Sequence, residues 1–239
     1  MAATFDTRFE KGFSSQSSPA SFVSNAGDVT GTVSATADRV MIAFVGATTS
    51  LTSLAVTWDG TPLSPIGTPL TFAAGFVHYM FGLINPINGN KTLAASWSSG
   101  AADVVLGAIS STASDQSTGW QNATNSSLTT STAPTITIPS ASGNLAVAMV
   151  IDNNSSSATI SGSATSAWNE RDLNGNYNAG YLASSSASTI IAWTLGSSVE
   201  WGVRGVDIIA KSSGTTFGPL VNGGSITHGG LIRGGRIAG

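Results

Sequence analysis

Side chains able to do acid–base or nucleophilic chemistry are few. The chain has two histidines, His78 and His228, and no cysteine, which removes thiolate nucleophiles, Cys-ligated zinc and disulfides together. A hydrolytic triad needs a nucleophile, an imidazole base and an orienting carboxylate. His78 alternates with Val77 and Tyr79, the setting of a structural strand histidine beside an aromatic face, and His228 lies in a glycine-rich tail. The many serines form no G-x-S-x-G elbow. Glu170 and Asp172 stand beside Trp168, and two carboxylates about 5–9.5 Å apart, one of them desolvated, would suit glycoside hydrolysis. Arg171 between them points instead to a solvated loop with local pairing. From Asp172, the residues Asn174, Asn176 and Asn178 place oxygen ligands at alternate positions, as a calcium loop does. Tyr177, however, stands where the turn glycine belongs, and Ala183 where the bidentate carboxylate belongs. The glycine pairs of the tail lack a following helix and a P-loop Lys-Ser/Thr. The reading is a non-enzyme with no catalytic, cofactor or metal residues.

Six tryptophans invite a test for sugar binding. Trp97 and Trp193 fall at alternating positions of apolar runs and read as core. Trp120 and Trp168 sit in polar loops and are the candidates to stack on a glycan. Exposed aromatics of that kind equally anchor protein interfaces.

The elements that must position these side chains are strands. Apolar periodicity is two throughout, in runs of five to nine residues bounded by Gly, Asn, Asp, Pro and Ser. The clearest are Arg39–Ala47, Leu54–Asp59, Val77–Ile84, Thr92–Trp97, Val104–Ser111, Thr135–Pro139, Leu145–Asp152, Thr189–Leu195 and Val203–Lys211. Weaker ones fall at Ala20–Asn25, Val29–Ala35, Ala158–Gly162 and Ala179–Ser184. Asp59-Gly60 and Asn88-Gly89 supply the positive φ of tight hairpins. The expected fold is all-β, an antiparallel, jelly-roll-like sandwich over residues 19–211. An N-terminal segment (1–18) precedes it and a glycine-rich arm (212–239) follows.

Two runs carry large apolar side chains on one face and smaller ones on the other. In the first, Val40, Ile42 and Phe44 oppose Met41, Ala43 and Val45. In the second, Leu145, Val147, Met149 and Ile151 oppose Ala146, Ala148 and Val150. Such strands are central and covered on both sides. Either a loop or the N-terminal segment lies over the smaller face, or another subunit packs there.

The arm repeats an apolar-containing pair, a polar residue and Gly-Gly: Leu220-Val221-Asn222, Ile226-Thr227-His228, Leu231-Ile232-Arg233, then Arg236-Ile237. Glycine at this density sustains neither helix nor isolated strand, yet a solvated linker would lack the aliphatics. An extended arm that lays Leu220, Val221, Ile226, Leu231, Ile232 and Ile237 into a partner's grooves satisfies both facts.

Charged residues make up 9% of the chain, against about 25% in an average domain, so Ser, Thr, Asn and Gly must supply the polar surface. Net charge is −3 with no basic run, which gives no electrostatic footprint for nucleic acid. No stretch reaches the roughly 18–20 apolar residues of a membrane span. The polar start has no apolar signal core, so the expectation is synthesis in a host cytoplasm and release by lysis.

Residues 38–112 carry a resemblance. The pieces are Arg39–Val45, Val56–Ile66 with its Asp59-Gly60 turn, Tyr79–Phe81, Leu83–Pro86 with Gly89, and Thr92–Trp97. Together they resemble a bacterial and bacteriophage β-sandwich family found among phage structural genes and secreted surface proteins. Asp59 replaces the first glycine of that family's Gly-Gly turn. The resemblance covers about a third of the chain and implies a jelly-roll-like sandwich without catalytic residues to transfer.

The expected function is therefore a virion structural protein of a tailed phage or related particle: a capsid decoration, spike or head-fibre subunit attached through its terminal arms. Its partners would be copies of itself, as a trimer or other cyclic homo-oligomer, and virion proteins such as the major capsid protein. Nucleic acid and membrane are not expected as partners. The alternative is a tail-tip or surface adhesin that binds glycans through Trp120 and Trp168.

Overall fold

A strand whose two faces are both apolar must lie between two layers, and Val40–Ala47 is such a strand, with all eight residues buried. The computed structural model of the chain describes residues 1–17, 32–72, 75–98, 101–153, 157–171 and 175–212. Among these there is no helix. The first half holds β1 (Thr4–Ser17), β2 (Thr32–Val33), β3 (Val40–Ala47), β4 (Ala55–Trp58), β5 (Thr61–Pro62) and β6 (Ser64–Pro65). It continues with β7 (Leu70–Phe72), β8 (Phe76–Ile84), β9 (Gly89–Asn90), β10 (Leu93–Ser96) and β11 (Ala101–Thr112). The second half holds β12 (Trp120–Ser131), β13 (Thr135–Pro139), β14 (Leu145–Asp152) and β15 (Ala158–Ser161). It ends with β16 (Thr165–Arg171), β17 (Asn176–Ala183), β18 (Ser188–Leu195) and β19 (Val199–Ile208).

The two halves repeat one topology. The first large sheet runs β1-β11-β3-β8, with β6 and β7 both on the outer edge of β8; the second runs β12-β19-β14-β17-β16. Each is faced by a small sheet, β10-β4-β5 in the first half and β13-β18-β15 in the second. Every pairing is antiparallel, and the registers correspond: Val40 lies between Ser111 and Ile84, Leu145 between Ile208 and Ala183. The fold is an all-β assembly of stacked antiparallel sheets, β-sandwich in kind.

The alternation of side chains explains the stacking. Val40, Ile42 and Phe44 meet Leu145, Val147 and Met149 in one core between the large sheets. Met41, Ala43 and Val45 turn to the first small sheet and pack with Val56, Trp58 and Trp97. Ala146, Ala148 and Val150 turn to the second, with Ile138, Trp193 and Trp201. The smaller faces are thus covered by each half's own small sheet, not by a loop, the N-terminal segment or another subunit. Burial of each such large side chain contributes about 1.5–3 kcal/mol.

The large sheets meet through the same face of each half, so their contacts are reciprocal, as in an isologous dimer interface. Phe5, paired with Ser111 on β1, stacks on Tyr181 of the other sheet at 4.2 Å and 4°. Trp120, paired with Ile208 at the corresponding place on β12, lies against Gly82, the counterpart of Tyr181.

The N-terminal segment is itself an edge strand. The weak run at Ala20–Asn25 lies outside the described residues. The N-terminal strand, β1, and two more, β12 and β16, escaped the apolar pattern because they are edge strands carrying many polar residues. Asp59 (φ 49°) and Gly60 (φ 81°) both take the left-handed region in the β4–β5 hairpin, whereas at Asn88-Gly89 it is Gly89 that does so (φ 90°).

Candidate functional site

His78 sits on β8 between the two large sheets, fully buried, its ring 5.7 Å from that of Phe44. Burial, and secondarily the charge of Arg204, hold its pKa well below the ordinary imidazole range. Arg204, 3% exposed on β19, crosses the interface: Nη1 donates to the His78 carbonyl (3.1 Å) and Nη2 to the Ile66 carbonyl (2.7 Å). Burial lowers the guanidinium to about 10, still charged at neutral pH. Among the described residues, neither ring nitrogen of His78 has a hydrogen-bond partner. The pair is a neutral ring and a caged cation holding two sheets together, with no hydroxyl or carboxylate bonded to the ring.

Glu170 lies on β16, and the carboxylate it acts on is Glu10 of β1. Burial first, and the Glu170 charge second, raise the Glu10 pKa; Arg8 opposes them. Both strands are sheet edges, and Arg8 Nη1 ties them by donating to the Ser166 carbonyl at 2.9 Å. The sequence pairing of Glu170 with Asp172 is untraceable, since Asp172 lies outside the described residues. Of the calcium-like positions, Asn176 donates to both oxygens of the buried Asp152 (3.0 and 3.2 Å). Asn178 accepts from Trp193 Nε1 (2.8 Å) and donates to the Ala158 carbonyl (3.2 Å). These side chains serve as buried ties between strands.

Asp207 and Arg204 were not singled out in the sequence, although each is a charge set into the apolar run Val203–Ile208. Asp207 is fully buried and accepts from Ser140 Oγ (2.5 Å), Asn144 Nδ2 (2.5 Å) and Gln121 Nε2 (3.0 Å). Asn144 in turn accepts from the Ala210 amide at 2.9 Å. This network fixes the end of the body. Lys211 adds to it, its amide donating to the Ala113 carbonyl (2.8 Å) and its ammonium 2.7 Å from Asp38.

The two candidate glycan-binding tryptophans are strand residues, not loop residues. Trp168 is 3% exposed in the core between the large sheets, its ring edge toward Phe44 at 6.0 Å. A buried ring offers no platform to a sugar. Trp120 is half-buried at the edge of that core, its six-membered ring over Gly82. Both sit in polar-looking stretches because edge strands carry polar residues between their inward side chains. The six arm residues, Leu220, Val221, Ile226, Leu231, Ile232 and Ile237, lie outside the described residues.

One concave apolar surface opens on the first half. The edge of β8 is covered by a full strand in the second half's counterpart, where β16 pairs along β17, but here only by the short pieces β6 and β7. The gap between them leaves a groove of about 350 Å³ lined by Leu51, Leu54, Val56, Leu63, Tyr79 and Phe81. Tyr79 Oη is held by the Leu51 amide at 2.7 Å, and burial raises its pKa, opposed by that bond and by one from Ser50. The corresponding place in the second half is filled: Gly180 stands where Phe81 does, and Ile160 packs its Cδ1 against it.

No protein-family model, curated protein or solved structure matches this chain.

Proposed function

We propose that the chain is a structural subunit of a virion, a capsid decoration, spike or head-fibre protein of a tailed phage or related particle, joined to its neighbours through its terminal arm. The observation that carries the reading is the fixed point from which the arm departs. Lys211 is clamped to Ala113 and Asp38, and Ala210 to Asn144, and beyond them come the recurring aliphatics Leu220, Val221, Ile226, Leu231, Ile232 and Ile237. An arm of such composition has too few apolar side chains for a core of its own. Ordering each backbone residue costs about 1–2 kcal/mol, while burying each aliphatic on a partner returns about 1.5–3 kcal/mol, so docking on a partner offsets the cost of fixing the arm. The low charge content and the family resemblance over residues 38–112 agree with a particle surface, and the ionisable side chains of the interior act as ties between sheets. On this reading the chain is not an enzyme, and its partners are other copies and the major capsid protein.

The test is to purify particles on a density gradient and measure this chain by mass spectrometry. A fixed copy number per particle is expected, and a chain lacking residues 212–239 should stay folded and soluble but leave the particle fraction. A chain that never bands with particles, or a truncated one incorporated at full occupancy, overturns the reading.

A further inference from the structure

We propose that the groove beside Tyr79 and Phe81 receives the aliphatic side chains of residues 213–239 from a second copy, making a head-to-tail contact between chains. The inference rests on the structural-subunit reading and names the surface through which that subunit is joined. The groove has the chemistry for it. Its wall is apolar, and its one ionisable side chain, Tyr79, has its hydroxyl engaged by the Leu51 amide. Its rim carries Pro62, Pro65 and Pro69, which offer no N–H, so an incoming chain is read by its side chains more than by strand pairing. At about 350 Å³ it falls at the lower end of the range for pockets that enclose a small ligand, about 300–1,000 Å³, room for a few aliphatic side chains. The fold does not oblige this space to be open, because Ile160 fills its counterpart over Gly180.

The structural-subunit reading makes the docking arm a second copy's, and the arm's exit and length allow it. Lys211 is bound to Asp38, just before β3 begins, whereas Leu51 and Leu54 follow the other end of β3. Eight residues of strand separate the two ends by roughly 26 Å. The groove's Phe81 and Tyr79 pair with Ala43 and Val45 in the middle of β3, so the groove opens from mid-strand toward the end away from the exit. Extended, residues 213–239 reach up to about 90 Å, ample for the span. One arm and one such groove per copy, among the described residues, make a heterologous contact, which closes into a ring or propagates.

The absence of cysteine makes a clean cross-linking test. Full-length Ala55→Cys, at the exposed mouth of the groove, is mixed with full-length Leu231→Cys and oxidised mildly. Docking raises the local thiol concentration, so the mixed disulfide should exceed by about tenfold that formed when Thr137→Cys, exposed on the outer sheet, replaces Ala55→Cys. Ala55→Asp should reduce self-association in sedimentation without lowering the thermal midpoint. A yield equal to the Thr137→Cys control overturns the proposal, as does a double variant that cross-links only within one chain. Should the arm deletion still remove the chain from particles while Ala55→Cys gives no excess, the subunit reading stands and the groove assignment falls. Excess mixed disulfide from a chain that never bands with particles upholds the groove and sinks the subunit reading.

Discussion

The ring edge of Trp168 occupies the space a side chain on Gly107 would need: a Cβ there would come within 2.8 Å of Cζ2 and 3.1 Å of the Phe9 carbonyl. Trp168 belongs to one large sheet and Gly107 to the other, so their separation sets how closely the halves approach. The same device recurs at Gly46 under Tyr177 and Gly202 under Phe72. Gly107→Val therefore forces the sheets apart. A loss of about 1–3 kcal/mol in unfolding free energy, measured by urea denaturation, is expected, against little change for Thr137→Val on the exposed outer face.

Trp168→Ala distinguishes a core from a binding residue. Removing a buried indole costs about 3–5 kcal/mol, so the variant should unfold at markedly lower temperature than the wild type. Trp120→Ala, from a half-buried position, should cost less. A Trp168→Ala protein of unchanged thermal midpoint that had lost glycan binding would reverse this reading.

Acid should loosen the body through His78. Its folded pKa lies below the unfolded value of 6.5, so the unfolded chain binds the proton more readily. Stability is full above about pH 6.5 and falls as pH drops from there toward the folded pKa. His78→Leu should flatten that part of the profile. Thermal midpoints measured from pH 7.5 to 5 check it; an unchanged slope in the variant would contradict the assignment.

Glu10 works in the opposite direction. Its folded pKa is raised by burial and by Glu170, so its contribution is most favourable below the unfolded value of 4.5 and is lost as pH rises through the folded one. Glu10→Gln should stabilise the protein at pH 7 by about 0.2–1 kcal/mol, discounted for its partial exposure, and have little effect at pH 4. Chemical denaturation at the two pH values gives the comparison.

Asp207→Ala leaves Ser140, Asn144 and Gln121 without their common acceptor. A buried donor left unsatisfied costs about 1–3 kcal/mol, so a loss of about 3 kcal/mol or more is expected. It should be accompanied by faster amide exchange at Ala210, whose acceptor Asn144 is freed. Retention of Ala210 protection would show that the network does not hold the chain's exit.

The central strands were legible in the sequence because their signal is local. Alternation of Val40, Ile42 and Phe44 with Met41, Ala43 and Val45 is a period of two that any strand imposes on side chains, and it announced a strand with two apolar faces. Asp59-Gly60 likewise carried its hairpin in its own backbone preferences. What covers those faces was not legible, since it depends on which distant strand docks there. Nothing in the neighbourhood of Trp168 distinguishes a loop aromatic from an edge-strand side chain pointing inward; only the arrival of β11, with Gly107 in place of a larger residue, makes that position a core. The doubled topology was hidden for the same reason. The two halves keep register and inward volume rather than residue identity, so Phe5 on Tyr181 and Trp120 on Gly82 fill equivalent places with different side chains. Burial of His78, the tie from Arg204 across to Ile66, and the groove left open beside Phe81 but closed over Gly180 all follow from how two sheets meet, a non-local packing outcome that short-range periodicity does not encode.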